Sequence, residues 1–288
     1  MNHWPNGADM DESSTPAMTV RRMKFDFTPD MERVFVKDDP DTSYTFLGTW
    51  MMLPYLEPYL IRTMRQALPH IRDEAMKDDL KRFCAQEGEH FKQHAMVNDM
   101  IRELVPGFAA LKPMELALDA EFKRFSKEKP LKFNLAYAEG FESMTSAMSR
   151  AQLETGMFDR TDSPLADLAK WHIMEEVEHR TVAFDIYEHV VGSYPYRLRI
   201  GLWAQSHFIK WGTRLAKVMK EADPETMARF QEPDVAAARK KFNAHFLKRG
   251  LPRLLQTYTP WYDPRKVDLP DAFQIARRRY SDLATALG

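Results

Sequence analysis

The sequence has few of the features that would place it in several common protein classes. Its single cysteine, Cys84, excludes an internal disulfide. Its 41 Lys and Arg are balanced by 42 Asp and Glu, so no excess of positive charge indicates a nucleic-acid partner. No G-x-S-x-G motif indicates a serine hydrolase, and no nucleotide or flavin motif is present. We therefore expect a protein that binds no nucleic acid and whose chemistry uses neither a serine-hydrolase motif nor a nucleotide or flavin cofactor.

Long apolar runs and targeting segments are also absent. No stretch approaches the roughly 18 consecutive apolar residues of a membrane span. The beginning of the sequence, MNHWPNGADMDESSTP, has neither the basic start nor the apolar run of a secretory signal. We expect a cytoplasmic protein without a transmembrane segment. The basic, Trp-containing stretch 197–220 leaves peripheral membrane contact open, although such helices more often cover a bundle or form the contact of a homodimer, which we also expect.

Glycine is scarce, with 11 residues in 288, whereas residues that favour helices are abundant. Apolar residues recur at helical spacing in four long stretches, 41–68, 73–104, 131–156 and 163–191. We predict one helix for each stretch, with kinks at Pro54 and Pro58 in the first. The connection 105–130 is long enough to carry its own helix and to cross the length of a bundle.

These stretches predict an all-α fold. We expect a four-helix bundle over about 42–192 and additional C-terminal helices packed on it over about 195–288. Residues 1–24 are polar and are expected to form a disordered or loosely docked arm, which leaves 25–288 as a single helical domain.

Two Glu-x-x-His pairs are the strongest functional signal. Glu87 and His90 lie in the second long helix, and Glu176 and His179 lie in the fourth. An i, i+3 spacing places a carboxylate and an imidazole side by side on one helical face. In bundles that hold two carboxylate-bridged metal ions, two helices supply such pairs and each of the other two supplies one Glu.

The first and third helices supply the remaining carboxylates. Glu57 lies within an apolar stretch of the first helix, and Glu142 lies in the third, with Glu139 one turn away as a rival. His94 and His172 each lie one turn outside a pair on the same face. Each is either a third imidazole ligand or a group that fixes a ligand.

Other acidic residues near the pairs have ordinary interpretations. We assign Glu178 to the surface and leave Glu175 open.

The segments that carry these residues resemble a known family. QEGEHFKQHAMVN, GFESMTSA, WHIMEEVEHRTVAFDIYE and YTPWYDP are similar to the predicted metal-dependent hydrolases of ferritin-like fold, over roughly residues 20–265. The resemblance implies a ferritin-like bundle with a metal site, and it favours Glu142 over Glu139.

The site also resembles, at lower similarity, that of the di-iron arylamine N-oxygenases. The fourth bundle helix of that group carries His-x-x-x-Glu-x-x-His, which His172, Glu176 and His179 match here. This resemblance implies that His172 is a seventh metal ligand.

These patterns predict an enzyme with two metal ions per chain. Iron is favoured, with manganese or zinc as alternatives. Our leading hypothesis is a di-iron oxidase or oxygenase that oxidises a small hydrophobic or aromatic substrate with O₂ and uses an external electron donor. The alternatives are a dinuclear metal-dependent hydrolase and a non-enzymatic metal-binding protein.

Overall fold

The computed structural model describes residues 18–287, and within them it contains helices and no β-strand. The predicted all-α class is therefore confirmed. The α-helices of this part of the chain are α1 (Pro40–Trp50), α2 (Leu53–Ala67), α3 (Glu74–Leu104), α4 (Leu111–Glu128), α5 (Leu131–Glu154), α6 (Pro164–His179), α7 (Val182–Val190), α8 (Tyr194–Ala222), α9 (Pro224–Met227), α10 (Pro233–Thr257) and α11 (Asp271–Ala286).

Two of the predicted long helices are each divided in two. The first is interrupted at Met51 and Met52, so Pro54 lies in the first turn of α2, where its missing N–H is not needed. Only Pro58 lies inside that helix. The fourth is interrupted directly after His179, between α6 and α7. Ser163, where the predicted fourth stretch begins, caps α6: its hydroxyl accepts a hydrogen bond from the N–H of Leu165 at 3.2 Å.

Helix α5 lies at the centre of the molecule, with 18 of its 24 residues buried. It packs against α2, α6, α7, α8, α10 and α11, while α3 packs on α2 and α6. The helices α2, α3, α5 and α6 thus share one interior. This arrangement suits the predicted four-helix bundle, and the ferritin-like assignment stays a prediction.

The C-terminal helices pack closely on this interior group. Helix α8 lies on α1 and α5, and α10 lies on α5. Gly140 of α5 and Gly201 of α8 meet where the two helices cross, and a Cβ atom at Gly140 would clash with the backbone of Gly201. A residue larger than glycine at position 140 would force these two helices apart.

The last part of the predicted N-terminal arm is packed rather than loose. Met18, Arg21 and Met23 are all buried, and only 1% of Arg21 is exposed. Residues 1–17 of that arm lie outside the described residues. Within residues 18–287, no helix has both the length and the apolar character needed to cross a membrane.

Candidate metal centre

The shared interior of the four helices contains all seven predicted ligands, and every one is buried. They fall into two groups. Within each group, every residue offers one potential ligand atom, and these atoms lie within 4.8 Å of one another. The first group consists of Glu57, His90 and His172, and the second consists of Glu87, Glu142, Glu176 and His179. Helices far apart in the chain therefore bring these side chains to one place.

Many polar atoms of these groups have no hydrogen-bond partner. Both carboxylate oxygens of Glu57 and Glu142 lack one, as do Oε1 of Glu87 and Oε2 of Glu176. Leaving a buried polar atom unpaired costs roughly 1–3 kcal/mol, and more if the group is charged. An isolated cluster of this kind would be strongly destabilising, whereas divalent cations would pair with all of these oxygens. The donor set therefore fits metal ions.

The two histidines of the Glu-x-x-His pairs are oriented alike. Nε2 of His90 lies 3.0 Å from Oε2 of Glu175, and Nε2 of His179 lies 3.0 Å from Oε1 of Gln86. Because both partners are acceptors, each Nε2 carries the proton and each Nδ1 is left with a free lone pair. Neither Nδ1 atom has a hydrogen-bond partner. Metal-ligating histidines are commonly fixed in this way.

Both Nδ1 atoms face the central carboxylates. Nδ1 of His179 lies 3.2 Å from Oε1 of Glu87 and 3.6 Å from Oε2 of Glu142. Nδ1 of His90 lies 3.9 Å from Oε2 of Glu87 and 3.9 Å from Oε1 of Glu176. The two oxygens of Glu87 therefore face one imidazole each.

His94 reaches the groups only through His172. Its Nε2 lies 2.6 Å from Nδ1 of His172, whose Nε2 lies 2.9 Å from Oε1 of Glu176. His94 itself belongs to neither group and packs edge-on against the ring of Trp50.

The structure places the rival Glu139 outside both groups. Its Oε1 forms an ion pair with Arg197 of α8 at 2.8 Å and accepts a hydrogen bond from the hydroxyl of Ser143 at 2.7 Å. This carboxylate is already neutralised by a cation of the protein.

Glu178 is not at the surface, and that prediction was wrong. Only 3% of it is exposed, and Arg21 and Arg277 both pair with its Oε1 at 2.9 Å. Arg21 also binds Glu175 at 2.8 Å. These ion pairs were not predicted from the sequence, because Arg21 lies in a polar segment 154 residues before Glu175. The only local signal was position: Gln86 and Glu175 each directly precede a predicted ligand.

Burial and mutual repulsion dominate the electrostatics of the groups. Burial, followed by the charges of Glu87 and Glu176, raises the pKa of Glu57 well above its ordinary value. Burial and Glu176 raise the pKa of Glu142 in the same direction. Burial opposes protonation of His179, but the nearby carboxylates of Glu142 and Glu87 outweigh it and raise the pKa of this imidazole, so without a metal a second proton is favoured at Nδ1, where a cation would displace it. Without a metal, the centre therefore retains protons.

A family model described as "Predicted metal-dependent hydrolase" matches residues 19–268. The chain belongs to this family. The match includes both ligand groups, Arg21 and the helices α8 and α10. It confirms the family resemblance deduced from the sequence motifs. No curated protein and no solved structure matches the chain.

In this member of the metal-dependent hydrolase family, a large cavity leads to the ligand groups. Its volume is about 550 Å³, and it extends from the exposed rim residues Thr45, Ile209 and Leu247 to His172 and Glu176 at its inner end. The wall is mostly apolar and aromatic, with contributions from α1, α2, α5, α6, α8 and α10. Among the described residues, no Lys, Arg or Asp lines it. The C-terminal helices thus form part of a cavity that the sequence did not reveal.

Proposed function

We propose that the protein is an enzyme in which two metal ions act on a small apolar molecule held in the cavity. One observation carries the proposal: an apolar cavity reaches, through His172 and Glu176, two buried groups in which many carboxylate and imidazole atoms lack hydrogen-bond partners. A cavity of about 550 Å³ falls within the range of about 300–1,000 Å³ typical of small-molecule sites.

The two groups divide the ligands between the two ions. Glu57, His90 and His172 would hold one ion, and Glu142 and His179 would hold the other. Glu87 and Glu176 would serve both ions, because each has oxygens near the Nδ1 atoms of both His90 and His179. His94 would fix the ring of His172, and Glu139 would take no part as a ligand.

When bound, divalent ions polarise a substrate bond and lower the pKa of water, and ferrous ions can also reduce O₂. The protein's own residues would orient the ligands, bind the substrate and exclude water. Glu175 and Gln86 hold the Nε2 protons of His90 and His179, so their Nδ1 atoms stay free to ligate. The aromatic and methionine side chains of the cavity keep bulk water from the centre.

Family membership favours hydrolysis as the reaction, and we place it first. The cavity wall offers no Lys or Arg to bind a charged group, so we infer that the part of the substrate held away from the metal ions is neutral and apolar. An apolar ester or amide meets this requirement.

Oxidation of an apolar substrate with O₂ by a di-iron centre is the second candidate. It is supported by three imidazoles among the proposed ligands and by the scarcity of polar groups around the substrate space. This reaction would need an external electron donor, because the sequence contains no nucleotide or flavin motif.

Reconstitution with single metals separates these candidates. The purified chain is loaded anaerobically with iron, manganese or zinc, and bound metal is measured by elemental analysis. Each preparation is then assayed for cleavage of medium-chain acyl esters without O₂ and for O₂ consumption with a reductant. We expect two ions per chain and ester cleavage that needs no O₂.

Glu176→Ala should reduce bound metal to half or less, with the exposed Glu188→Ala as the matched control. Iron-dependent O₂ consumption without ester cleavage would instead support the oxidase. Two bound ions with no turnover of either kind would indicate a metal-binding protein. A chain that binds no metal would contradict the whole proposal.

A further inference from the structure

Helix α10 presents an unusual combination of charge and apolar side chains to the outside. From Val235 to Tyr262 the chain contains no Asp or Glu. In the same segment it contains six basic residues: Arg239, Lys240, Lys241, Lys248, Arg249 and Arg253. In a chain whose net charge is −1, this excess of positive charge is local to one segment.

An apolar strip runs along the same helix. Leu247, Leu251 and Leu255 are 55%, 52% and 53% exposed. Their spacing of four residues places them on one side of the helix. We call these three residues the leucine strip. Large apolar side chains exposed in a continuous row indicate a surface that contacts another apolar phase.

The side of α10 that faces α5 is already used by the protein. Gly250 packs against Met148 and Ala151 of α5, and Leu254, seven residues after Leu247, lines the cavity at the edge of the leucine strip. Arg249 and Arg253 pair with Glu154. Within residues 18–287, no carboxylate pairs with Lys240, Lys241 or Lys248, whose positions flank the leucine strip. The outer side thus combines apolar side chains with three unneutralised cations.

The leucine strip is continuous with the mouth of the cavity. Leu247 belongs to the strip and also to the cavity rim, beside Ile209 of α8. An apolar molecule leaving a lipid phase at the strip would enter the cavity without crossing bulk water.

We propose that α10 docks on an anionic lipid surface and that the cavity takes its substrate from that membrane. The leucine strip would enter the interfacial region while the flanking lysines contact anionic headgroups, as in interfacial amphipathic helices. The delivery of substrate rests on the proposed function, whereas the docking does not. The substrate class is then a neutral, membrane-dissolved apolar molecule.

A second copy of the chain fits this surface less well. A symmetric dimer through α10 would bring the same face of both subunits together and place like charges opposite each other. The charge of the surface therefore favours a negatively charged partner, and its exposed leucines favour a lipid one.

Vesicle flotation with the full chain tests the docking. Vesicles of phosphatidylcholine alone are compared with vesicles that also contain phosphatidylglycerol, at low and high salt. We expect binding to the anionic vesicles only, weakening as salt screens the lysines. Replacing Lys240, Lys241 and Lys248 by Gln should weaken binding roughly 100-fold, since each basic residue near such a surface contributes a factor of about five.

Leu251→Asp should abolish binding. The matched control replaces Lys81, Lys92 and Lys123 of α3 and α4 by Gln, which removes the same charge elsewhere and should leave binding nearly unchanged. Circular dichroism checks that each variant is folded.

Equal binding to both kinds of vesicle, no binding to either, or equal loss in the control variant would overturn the proposal. So would a dimer by light scattering that Leu251→Asp dissociates, because a second copy would then cover the strip. Glu176→Ala keeps the two proposals separate: it should lose metal and still float with anionic vesicles.

Discussion

Arg21 shows how a single residue outside the ligand groups supports them. It binds Glu175 and Glu178 together, and Glu175 in turn accepts the Nε2 proton of His90. Arg21 thus acts on the centre through a carboxylate and not by contact with it. Its guanidinium is almost fully buried, so its removal leaves two buried carboxylates short of a cation.

Arg21→Met should therefore destabilise the protein and weaken metal binding. Breaking a buried ion pair by removing one partner costs about 3–5 kcal/mol. Loss of the group that fixes a ligating histidine typically lowers metal affinity about 10–100-fold. Denaturant unfolding and metal titration measure the two effects.

Arg22→Met is the control, because Arg22 is exposed and its removal should change stability by no more than about 0.5 kcal/mol. Equal behaviour of the two variants would contradict the role of Arg21.

Metal binding should release protons at neutral pH. The raised pKa values of Glu57, Glu142 and His179 mean that the metal-free centre holds protons that a cation must displace. Affinity should consequently rise as pH increases. Calorimetric titration in two buffers with different ionisation enthalpies measures the number released. Glu57→Gln should release fewer protons, and a heat of binding that is the same in both buffers would refute the displacement.

Single residues could be predicted from the sequence where the chemistry is local. The i, i+3 spacing was enough to select Glu87, His90, Glu176 and His179. The side chains that fix the histidines could not be predicted, because Gln86 bonds to a residue 93 positions away and Arg21 to one 154 positions away. Such partners share no periodicity with the residues they support.

At the scale of elements, the crossing of α5 and α8 determines how closely the C-terminal helices approach the centre. Gly140 and Gly201 meet there with no room for a side chain at position 140. The neighbouring Glu139–Arg197 ion pair and the hydrogen bond from Gln205 to the carbonyl of Gly140 depend on the same approach.

Gly140→Ala should destabilise the protein by about 1–3 kcal/mol, the usual cost of overpacking a rigid contact. Gly88→Ala is the matched control. Gly88 also lies in a helix, but nothing lies within 4 Å of a Cβ atom added there. Alanine at that position should stabilise its helix by up to about 1 kcal/mol. Thermal unfolding of both variants checks the contrast, and similar shifts in the two would mean that the close approach does not matter.

Element boundaries were predictable where capping groups mark them. Asp73 caps α3 and Ser163 caps α6, and both helices begin where the sequence indicated. The interruptions after Trp50 and His179 were missed. Both occur in stretches with continuous helical patterns, so only the packing of neighbouring helices distinguishes two helices from one there.

For the whole molecule, the ligand groups join four helices that are otherwise held by side-chain packing. The all-α class and the helix content could be predicted from composition and periodicity, because both depend on the local preferences of the residues. The cavity could not be predicted, because its wall combines α1, α2, α5, α6, α8 and α10 and exists only once these helices have packed. The same long-range assembly makes the global stability depend on what binds between the helices.

Metal should therefore stabilise the entire fold. A ligand that binds only the folded state at a free concentration of about 100 times its Kd contributes about 2.7 kcal/mol. For a protein of this size, that should raise Tm by roughly 4–5 °C. Calorimetry of chelator-treated protein, with and without added ferrous, manganous or zinc ions, measures the shift.

Magnesium serves as the control, because it prefers oxygen ligands in octahedral geometry and gains little from imidazoles. The shift should fall to half or less in Glu176→Ala, since that variant removes a carboxylate proposed to contact both ions. If the variant kept the full shift, the stabilising metal would be bound somewhere other than between α2, α3, α5 and α6.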